Sequence, residues 1–473
     1  MRSLAELQST NGASRTVRIG ESLKLVNGRA FKPNEWKKTG LPIVRIQNLN
    51  NPDAPFNYYE GDLPEKFLLD DGDLLFAWSG TPGTSFGAHI WRGGKAWLNQ
   101  HIFKVHFNEK EFDKRYLQLA INRNLQEYIR AAHGGAGLAH ITKGRFEESS
   151  LPCPPLDEQE QIVAEIEKQF TRLDAGVVPL KRVQTALRRY RASVLKAACE
   201  GRLVPTEAEL ARKENRSYET GEQLLHRILK ERREKWNGKG KYKEPSSPVP
   251  VDLPSLPEGW TWATVEQLAA PEPNSITDGP FGSNLKTEHY TNTGPRVIRL
   301  QNIGDSVFLD EEAHISEAHF QRLQKHAVFA DDLVIAAFGA NPPCSCIIPP
   351  AVGPAIVKAD CIRFKPHREI VTKYLNVALN SDPVRRRTQG LVHGVGRPRL
   401  NLAEIKSIVL PVPPFAEQER IVAEVERRMS VIGELEAVTS RELQRAIRLR
   451  QSILHGEFTK KLTRRQEHVH LNT

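Results

Sequence analysis

One block of sequence occurs twice, and it constrains the fold of this 473-residue chain more than any local pattern does. Leu151-Pro-Cys-Pro-Pro-Leu-Asp-Glu-Gln-Glu-Gln-Ile-Val-Ala-Glu-Ile-Glu-Lys-Gln-Phe170 returns as Leu410-Pro-Val-Pro-Pro-Phe-Ala-Glu-Gln-Glu-Arg-Ile-Val-Ala-Glu-Val-Glu-Arg-Arg-Met429. Shorter fragments repeat in the same order. Gly40-Leu-Pro-Ile-Val-Arg-Ile-Gln-Asn-Leu49 matches Gly294-Pro-Arg-Val-Ile-Arg-Leu-Gln-Asn-Ile303, Asp73-Leu-Leu-Phe-Ala77 matches Asp332-Leu-Val-Ile-Ala336, and Tyr116-Leu-Gln-Leu-Ala120 matches Tyr374-Leu-Asn-Val-Ala378. A long repeat means two copies of one structural unit, which present two similar surfaces. Between the matched fragments the copies diverge: Trp78-Ser-Gly-Thr-Pro-Gly-Thr-Ser-Phe86 stands opposite Ala337-Phe-Gly-Ala-Asn-Pro-Pro-Cys-Ser345. A shared frame carrying different loops suits a protein that reads two different things.

Each copy reads as a globular piece followed by a long helix. Residues 15–150 alternate short β-rich runs (Pro42–Gln47, Leu74–Trp78, Ile102–Phe107) with Gly, Pro and Asn turns, and a helix is expected over Lys114 to Arg130, giving a mixed α+β domain. Pro154-Pro155 forces extended backbone, and Asp157 is placed to cap the helix that follows. Apolar residues then recur at three- and four-residue steps: Ile162, Ile166, Phe170, Leu173, Val177, Leu180, Leu187, Val194 and Ala198. In the second copy they are Ile421, Val425, Met429, Ile432, Leu435, Val438, Leu443, Ile447 and Ile453. Such stripes suit an antiparallel coiled-coil pair, in which ~40 residues at ~1.5 Å each span about 60 Å. Gly176 and Pro179 predict a kink or a break in the first helix. Glu200-Gly-Arg-Leu-Val-Pro205 ends it, and a basic helix over 221–236 and a Lys/Gly/Pro/Ser-rich linker follow. The expected order is a globular domain over 1–150, a long helix over 151–203, a basic helix and linker over 204–257, a second globular domain over 258–409, and a second long helix and tail over 410–473.

Composition narrows the function. The net charge of +10 and pI near 9.3 point to a polyanionic partner. From Lys181 to Glu244 there are eighteen Lys or Arg against nine Asp or Glu, although a solvated helix face explains such a run equally well. No apolar run reaches the ~18 residues of a membrane span, and the first residues show no apolar signal core. A cytoplasmic protein without membrane contact is expected. Cys153, Cys199, Cys344, Cys346 and Cys361 are odd in number and form no pair of CxxC elements, against a disulfide framework and a structural zinc site. No metal, cofactor or catalytic residue is expected. Gly134-Gly-Ala-Gly137 and Gly394-Val-Gly396 complete no dinucleotide fingerprint, and no phosphate loop is present.

With these features the chain resembles the DNA-specificity subunit of type I restriction-modification systems. The resemblance is carried by the PxPPxxEQexIvaeie blocks at 152–167 and 411–426, by Val194-Leu-Lys-Ala-Ala-Cys-Glu-Gly-Arg-Leu-Val-Pro205 and by Leu256-Pro-Glu-Gly-Trp-Thr-Trp262, and it covers nearly the whole chain. The first half departs from it by lacking the Pro-Glu-Gly-Trp opening and beginning near Arg15-Thr-Val-Arg-Ile-Gly20. The resemblance implies two target recognition domains, each reading one half of a bipartite asymmetric sequence in double-stranded DNA, and a pair of helices acting as a ruler. It also implies that the helices dock two methyltransferase subunits and, through them, endonuclease/translocase subunits. The chain itself would be non-catalytic, directing DNA methylation without performing it. A fused or degenerate DNA adenine methyltransferase is the alternative, since Asn341-Pro342-Pro343 resembles the amino-methyltransferase motif; Cys344 stands where that motif has an aromatic. A coiled-coil scaffold binding only proteins is a third reading.

Candidate contacts follow. Arg45, Gln47 and Asn48 recur as Arg299, Gln301 and Asn302, side chains able to hydrogen-bond guanine or adenine edges. Residues shared by both halves cannot explain different half-sites, so a loop-fixing or phosphate role is favoured. The divergent loops are better readers: Trp78–Phe86 with His133–Thr142, and Phe338–Cys346 with His393–Asn401. They supply Ser79, Thr81, Thr84, His133, His140 and Thr142 in the first half and Asn341, His393 and Asn401 in the second. Lys143, Arg145, Arg397 and Arg399 lie near enough for phosphate. Glu158, Gln159, Ile162, Glu417, Gln418 and Ile421 open the long helices and are candidates for partner docking, the carboxylates also complementing the helix dipole.

Overall fold

The computed structural model describes residues 15–470 apart from 52, 81–85, 132–138, 237–239, 250–252, 340–341 and 395–397. The chain divides into two compact units, residues up to 181 together with those from 440 onward, and residues 182–439. The duplication in the sequence is a duplication of topology.

In the first unit, Arg15–Arg18 pairs antiparallel with Ser150–Cys153. A four-stranded antiparallel sheet runs in the order Leu23–Asn27, Ile102–Phe107, Leu74–Ala77, Gly87–Ile90. A second four-stranded sheet runs Asn57–Tyr59, Leu41–Val44, Ala96–Leu98, Leu68–Leu69, its two central strands parallel. The second unit repeats each part. Thr261–Thr264 pairs with Val409–Val412, so the first half enters its domain by the same strand pairing although it lacks the Pro-Glu-Gly-Trp opening. The antiparallel sheet runs Ile276–Thr277, Cys361–Phe364, Leu333–Ala336, Cys344–Ile347. The mixed sheet runs His314–Ile315, Tyr290–Ile298, Ala355–Val357, Ala327–Val328, again with a parallel central pair.

The repeated runs at Leu74 and Leu333 are apolar at every position because both faces of the strand are buried. Leu74 and Phe76 enter a core with Phe146, Tyr116 and Ile166, whereas Leu75 and Ala77 enter another with Val44, Trp91 and Leu98. Leu333 and Ile335 likewise face the core that holds Tyr374 and Ile421, and Val334 and Ala336 face Ile298 and Val357. The aspartate opening each run is kept as well. Asp73 pairs with Lys104 at 2.7 Å and accepts from the Asp70 amide at 2.8 Å; Asp332 pairs with Arg363 at 2.6 Å and accepts from the Phe329 amide at 2.9 Å.

The long helices run from Leu156 to Cys199 and from Phe415 to His470. The first is continuous through Gly176 and Pro179, so the expected break is absent. Pro179 removes one ladder bond, and in a helix of this length packing on either side, at Phe170 and at Leu187, outweighs that loss. Asp157 is the second helical residue and not the cap, which places its carboxylate in the first turn. The helix expected over Lys114 to Arg130 divides at Asn124 into Lys114–Arg123 and Leu125–Ala131.

Within each unit the two long helices run antiparallel. In the first, Gln169 Nε2 donates to Glu457 Oε1 at 3.1 Å and Asp174 pairs with Arg450 at 2.8 Å, while Arg450 also lies 4.0 Å over the Phe170 ring. In the second, Arg191 pairs with Glu436 at 3.0 Å and Arg428 donates to the Tyr190 hydroxyl at 3.3 Å. Much of the apolar stripe packs into the domain cores, and part of it stays uncovered. Ile162, Ile166, Phe170, Leu187, Val194, Ile421, Val425 and Ile432 are buried, but Leu435, Val438 and Ile447 are exposed, as are Val178, Val183, Val431 and Leu449.

Gly201 ends the first helix at φ +65°, where a Cβ would lie 2.4 Å from Pro257 Cγ. The segment after it is less of a free linker than its composition predicts. Helices Glu207–Glu214 and Gly221–Glu234 both open with capping boxes, at Thr206 and Thr220, and bury Ala208, Ala211, Leu224, Leu225 and Ile228 in the second unit. No helix among the described residues is long and apolar enough to cross a membrane.

Candidate nucleic-acid interface and helix clasps

The repeated Glu-Gln pair at the helix starts acts inside the chain. Gln159 is fully buried: its Oε1 accepts from the Asp113 amide at 2.8 Å, and its Nε2 donates to the Glu111 and Pro154 carbonyls at 2.7 and 2.8 Å. Gln418 repeats this, accepting from the Val371 amide and donating to the Pro413 carbonyl, both at 3.0 Å. Asp113 and Val371 are the N-cap residues of helices Lys114–Arg123 and Thr372–Leu379, so each glutamine bolts the domain helix to the long helix. Ile162 and Ile421 are buried beside them. The docking assignment of Gln159, Ile162, Glu417, Gln418 and Ile421 is therefore corrected, because a side chain with no surface offers a partner nothing. Glu158 alone of the six keeps part of its surface.

Glu417 is bound more tightly than dipole complementation requires. Its Oε2 accepts from the Glu207 amide at 2.8 Å and its Oε1 from the Trp260 indole at 3.0 Å. Glu207 in turn pairs with Arg216 at 2.6 Å and Arg420 at 2.7 Å. Burial pushes the Glu417 carboxyl up to about 6 from its ordinary 4.5, against the pull of its two donors and Arg420. The folded chain thus holds a proton that the unfolded chain releases, and this contribution to stability, present below 4.5, is lost as pH rises through about 6. Trp260→Phe deletes one donor to the ionised form. We expect it to cost ~1–2 kcal/mol near pH 7.5 and clearly less near pH 5; denaturant unfolding of the full chain at the two pH values measures this, and equal losses would refute the assignment.

The shared polar triplet is structural at its third position. Asn48 Oδ1 accepts from the Arg45 amide at 3.1 Å and its Nδ2 donates to the Ala54 carbonyl at 3.2 Å. Asn302 caps the Arg299 amide at 2.8 Å and donates to the Leu309 and Glu311 carbonyls, each at 2.8 Å. Both asparagines are buried and fasten their own loops, the role favoured from sequence over the candidate contact with base edges. Gln47 and Gln301 are exposed, Gln301 donating to Glu311 at 2.9 Å and Gln47 to the Pro55 carbonyl at 3.3 Å. Arg45 lies 5.3 Å over the Trp36 ring, and Arg299 donates to the Glu311 and Glu312 carbonyls at 3.4 and 3.3 Å.

The divergent loops do come together, in the same way in both units. Ser79–Gly80 pairs with Ala139–His140, and the Ile141 amide donates to the Trp78 carbonyl at 3.0 Å. In the second unit Phe338 bridges Arg399, His393 bridges Arg399, and the Leu400 amide donates to the Ala337 carbonyl at 2.8 Å. Thr142 and Asn401, proposed as readers, instead cap the short helices Lys143–Glu147 and Leu402–Ser407. His393 hydrogen-bonds Glu404. Lys143 pairs with Glu147 at 3.5 Å. Thr81, Thr84, His133, Asn341 and Arg397 lie outside the described residues.

Three side chains at these junctions were not singled out from sequence. The Trp78 ring meets His140 edge-on at 4.7 Å and His101 at 5.1 Å. Burial holds the His101 imidazole below its ordinary value, with His140 adding to the effect. In the second unit Phe281, half-exposed, sits beneath Arg399 at 5.8 Å, and Asp360 pairs with Arg399 at 2.8 Å. An aromatic isolated among turn residues, Thr277-Asp-Gly-Pro-Phe-Gly282, was the available signal for Phe281. Asp278, Phe281, Asp360 and Arg399 line a cleft of about 300 Å³.

This arrangement of two sheet-rich domains, each followed by a long helix, can now be set beside known proteins. The model of the type I restriction modification DNA specificity domain matches residues 12–175. The EcoBI type I restriction enzyme specificity subunit of Escherichia coli is 26% identical over 445 residues, covering 93% of this chain and 84% of that protein. The MjaVIII specificity subunit of Methanocaldococcus jannaschii is 20% identical over 454 residues, covering 94% and 92%. Among solved structures, a chain from work on complex assembly and conformational transition of the type I restriction-modification system shares the fold, with a TM-score of 0.55 at 17% identity over 95% of this chain and 98% of that one. Over most of its length the chain is thus similar to type I restriction-modification DNA-specificity subunits.

Proposed function

We propose that the chain reads a bipartite, asymmetric sequence in double-stranded DNA, one half-site per globular domain, and performs no catalysis itself. The observation that carries this reading is the twin junction. One backbone hydrogen bond, Ile141 to Trp78 and Leu400 to Ala337, fixes the same frame in both units, and the frames carry His140 in one and Arg399 in the other. Identical skeletons with different polar tips are what two half-sites of different sequence require.

Docking of two methyltransferase subunits, and through them of endonuclease/translocase subunits, is assigned to the exposed apolar positions of the long helices. Val431, Leu435, Val438, Ile447 and Leu449 remain uncovered on the second of these, a number of apolar side chains that a helix not meant for a partner rarely leaves in water. The complex acts in the cytoplasm, where its DNA substrate lies. The first long helix follows the first domain and the second long helix follows the second domain, and their length is proposed to set the spacer between half-sites.

Reconstitution tests the reading. The lone chain should neither bind a methyl donor nor transfer methyl groups, and adding the methyltransferase subunits should yield methylation at a split, non-palindromic site. Affinity should fall steeply with salt, by ~10³ or more between 50 and 200 mM if six or more phosphates are neutralised. Methyl transfer by the lone chain would overturn the non-catalytic part and favour the fused-methyltransferase alternative. Absence of any sequence-specific protection of duplex DNA would leave only a protein scaffold.

A further inference from the structure

We infer that Arg399 reads a guanine base in the half-site of the second domain, and that His140, its positional equivalent in the first domain, reads a different base in the other half-site. The inference rests on the DNA-reading function proposed above and names the side chains that make the two half-sites differ.

The equivalence comes from the backbone. Counting from the paired runs Asp73–Ala77 and Asp332–Ala336, Trp78 corresponds to Ala337 and Ser79 to Phe338. His140 pairs with Ser79, and Arg399 bridges Phe338. The next residue of each, Ile141 or Leu400, makes the same hydrogen bond, and the one after, Thr142 or Asn401, caps the same short helix. A frame this closely repeated, with a different exposed polar side chain at the paired position of each copy, puts that difference where a ligand meets it.

Arg399 is held as a base reader and not as a loose phosphate contact. Half of its side chain is exposed, while Asp360 sits 2.8 Å from one terminal nitrogen and the Phe281 ring lies beneath the guanidinium. The Asp360 carboxylate engages that one nitrogen and so holds the guanidinium in a fixed orientation over the Phe281 ring. A phosphate contact needs only a positive charge in reach. Reading guanine N7 and O6 needs the two parallel donors of a planar fork held in register. His140 stands against the Trp78 ring edge in the matching place, an uncharged-capable donor or acceptor that suits another base.

The test uses the full chain assembled with its methyltransferase subunits and maps modified sites across a genome. Arg399→Ala should relax one position of one half-site, reducing discrimination for guanine there by roughly ten- to a hundredfold, with the other half-site intact as an internal control for folding. Arg399→Lys keeps the charge and should relax the same position. His140→Ala should change only the opposite half-site. The inference is overturned if Arg399→Ala weakens all sites uniformly and Arg399→Lys restores them, the pattern of a phosphate contact, or if both substitutions act on the same half-site. If the wild-type complex shows no split recognition site, the underlying DNA-reading function fails, and this inference with it; a split site unaltered by all three variants overturns this inference alone.

Discussion

Replacing Gln418 with alanine is expected to destabilise the second unit by ~3–5 kcal/mol, far beyond the effect of an ordinary polar substitution. The side chain is fully buried and makes hydrogen bonds at 3.0 Å at both ends of its amide, to Val371 N and Pro413 O. Truncation leaves both backbone groups without partners in a dry site at ~1–3 kcal/mol each, and adds the cavity left by one methylene and the carboxamide. Because Val371 N-caps the helix Thr372–Leu379 and has no side-chain capping bond of its own, the loss also loosens that helix. Gln159→Ala should do the same in the first unit. Glu419→Ala, one residue along and exposed, should stay within about 0.5 kcal/mol of wild type. Denaturant unfolding of the full chain checks all three. A Gln418→Ala loss below ~1 kcal/mol would mean that water replaces the amide and that the bolt is not structural.

These glutamines also mark where sequence reading stopped. The doubled block predicted two copies of one frame, and the run at Leu74, matched at Leu333, read as a short β-rich segment. Those properties repeat over a few residues and depend on local periodicity alone. What Gln159 and Gln418 touch was not legible, because Asp113 and Val371 lie 46 and 47 residues away, and no spacing rule connects an amide to a backbone group across a whole domain. Their position in the first helical turn pointed to a docking partner; their burial assigned them to the interior. The recognition loops divide in the same way. Divergence between the copies singled out segments that do meet, yet only the pairing of Ser79 with His140 and of Phe338 with Arg399 showed which side chains share a junction. Thr142 and Asn401 had polar side chains of the right type for reading bases and are used as helix caps, a role open to any Thr or Asn ahead of a short helix.

Lengthening both long helices together should change the spacer between half-sites and nothing else. Seven residues inserted after Lys181 and seven after Thr439, at the boundary of the two units, add about 10.5 Å of helix and return the chain to within about 20° of its original face. At ~3.4 Å per base pair, the recognised sequence should gain at most about three base pairs of spacer. Both insertions are needed. Asp174–Arg450 and Gln169–Glu457 fix the helix register in the first unit and Arg191–Glu436 fixes it in the second, so an insert in one helix alone would break one set or force out a bulge. The single insertions should therefore lower stability and abolish methylation at every site, while the double insertion preserves stability and moves the target. Four residues in each helix make a harsher test, since they rotate the following helix by about 40° as well as advancing it by about 6 Å. Mapping modified sites for the wild type and the variants measures the outcome directly. Half-sites that change sequence, or a spacer that ignores the double insertion, would show that the helices join the two readers without setting the distance between their targets.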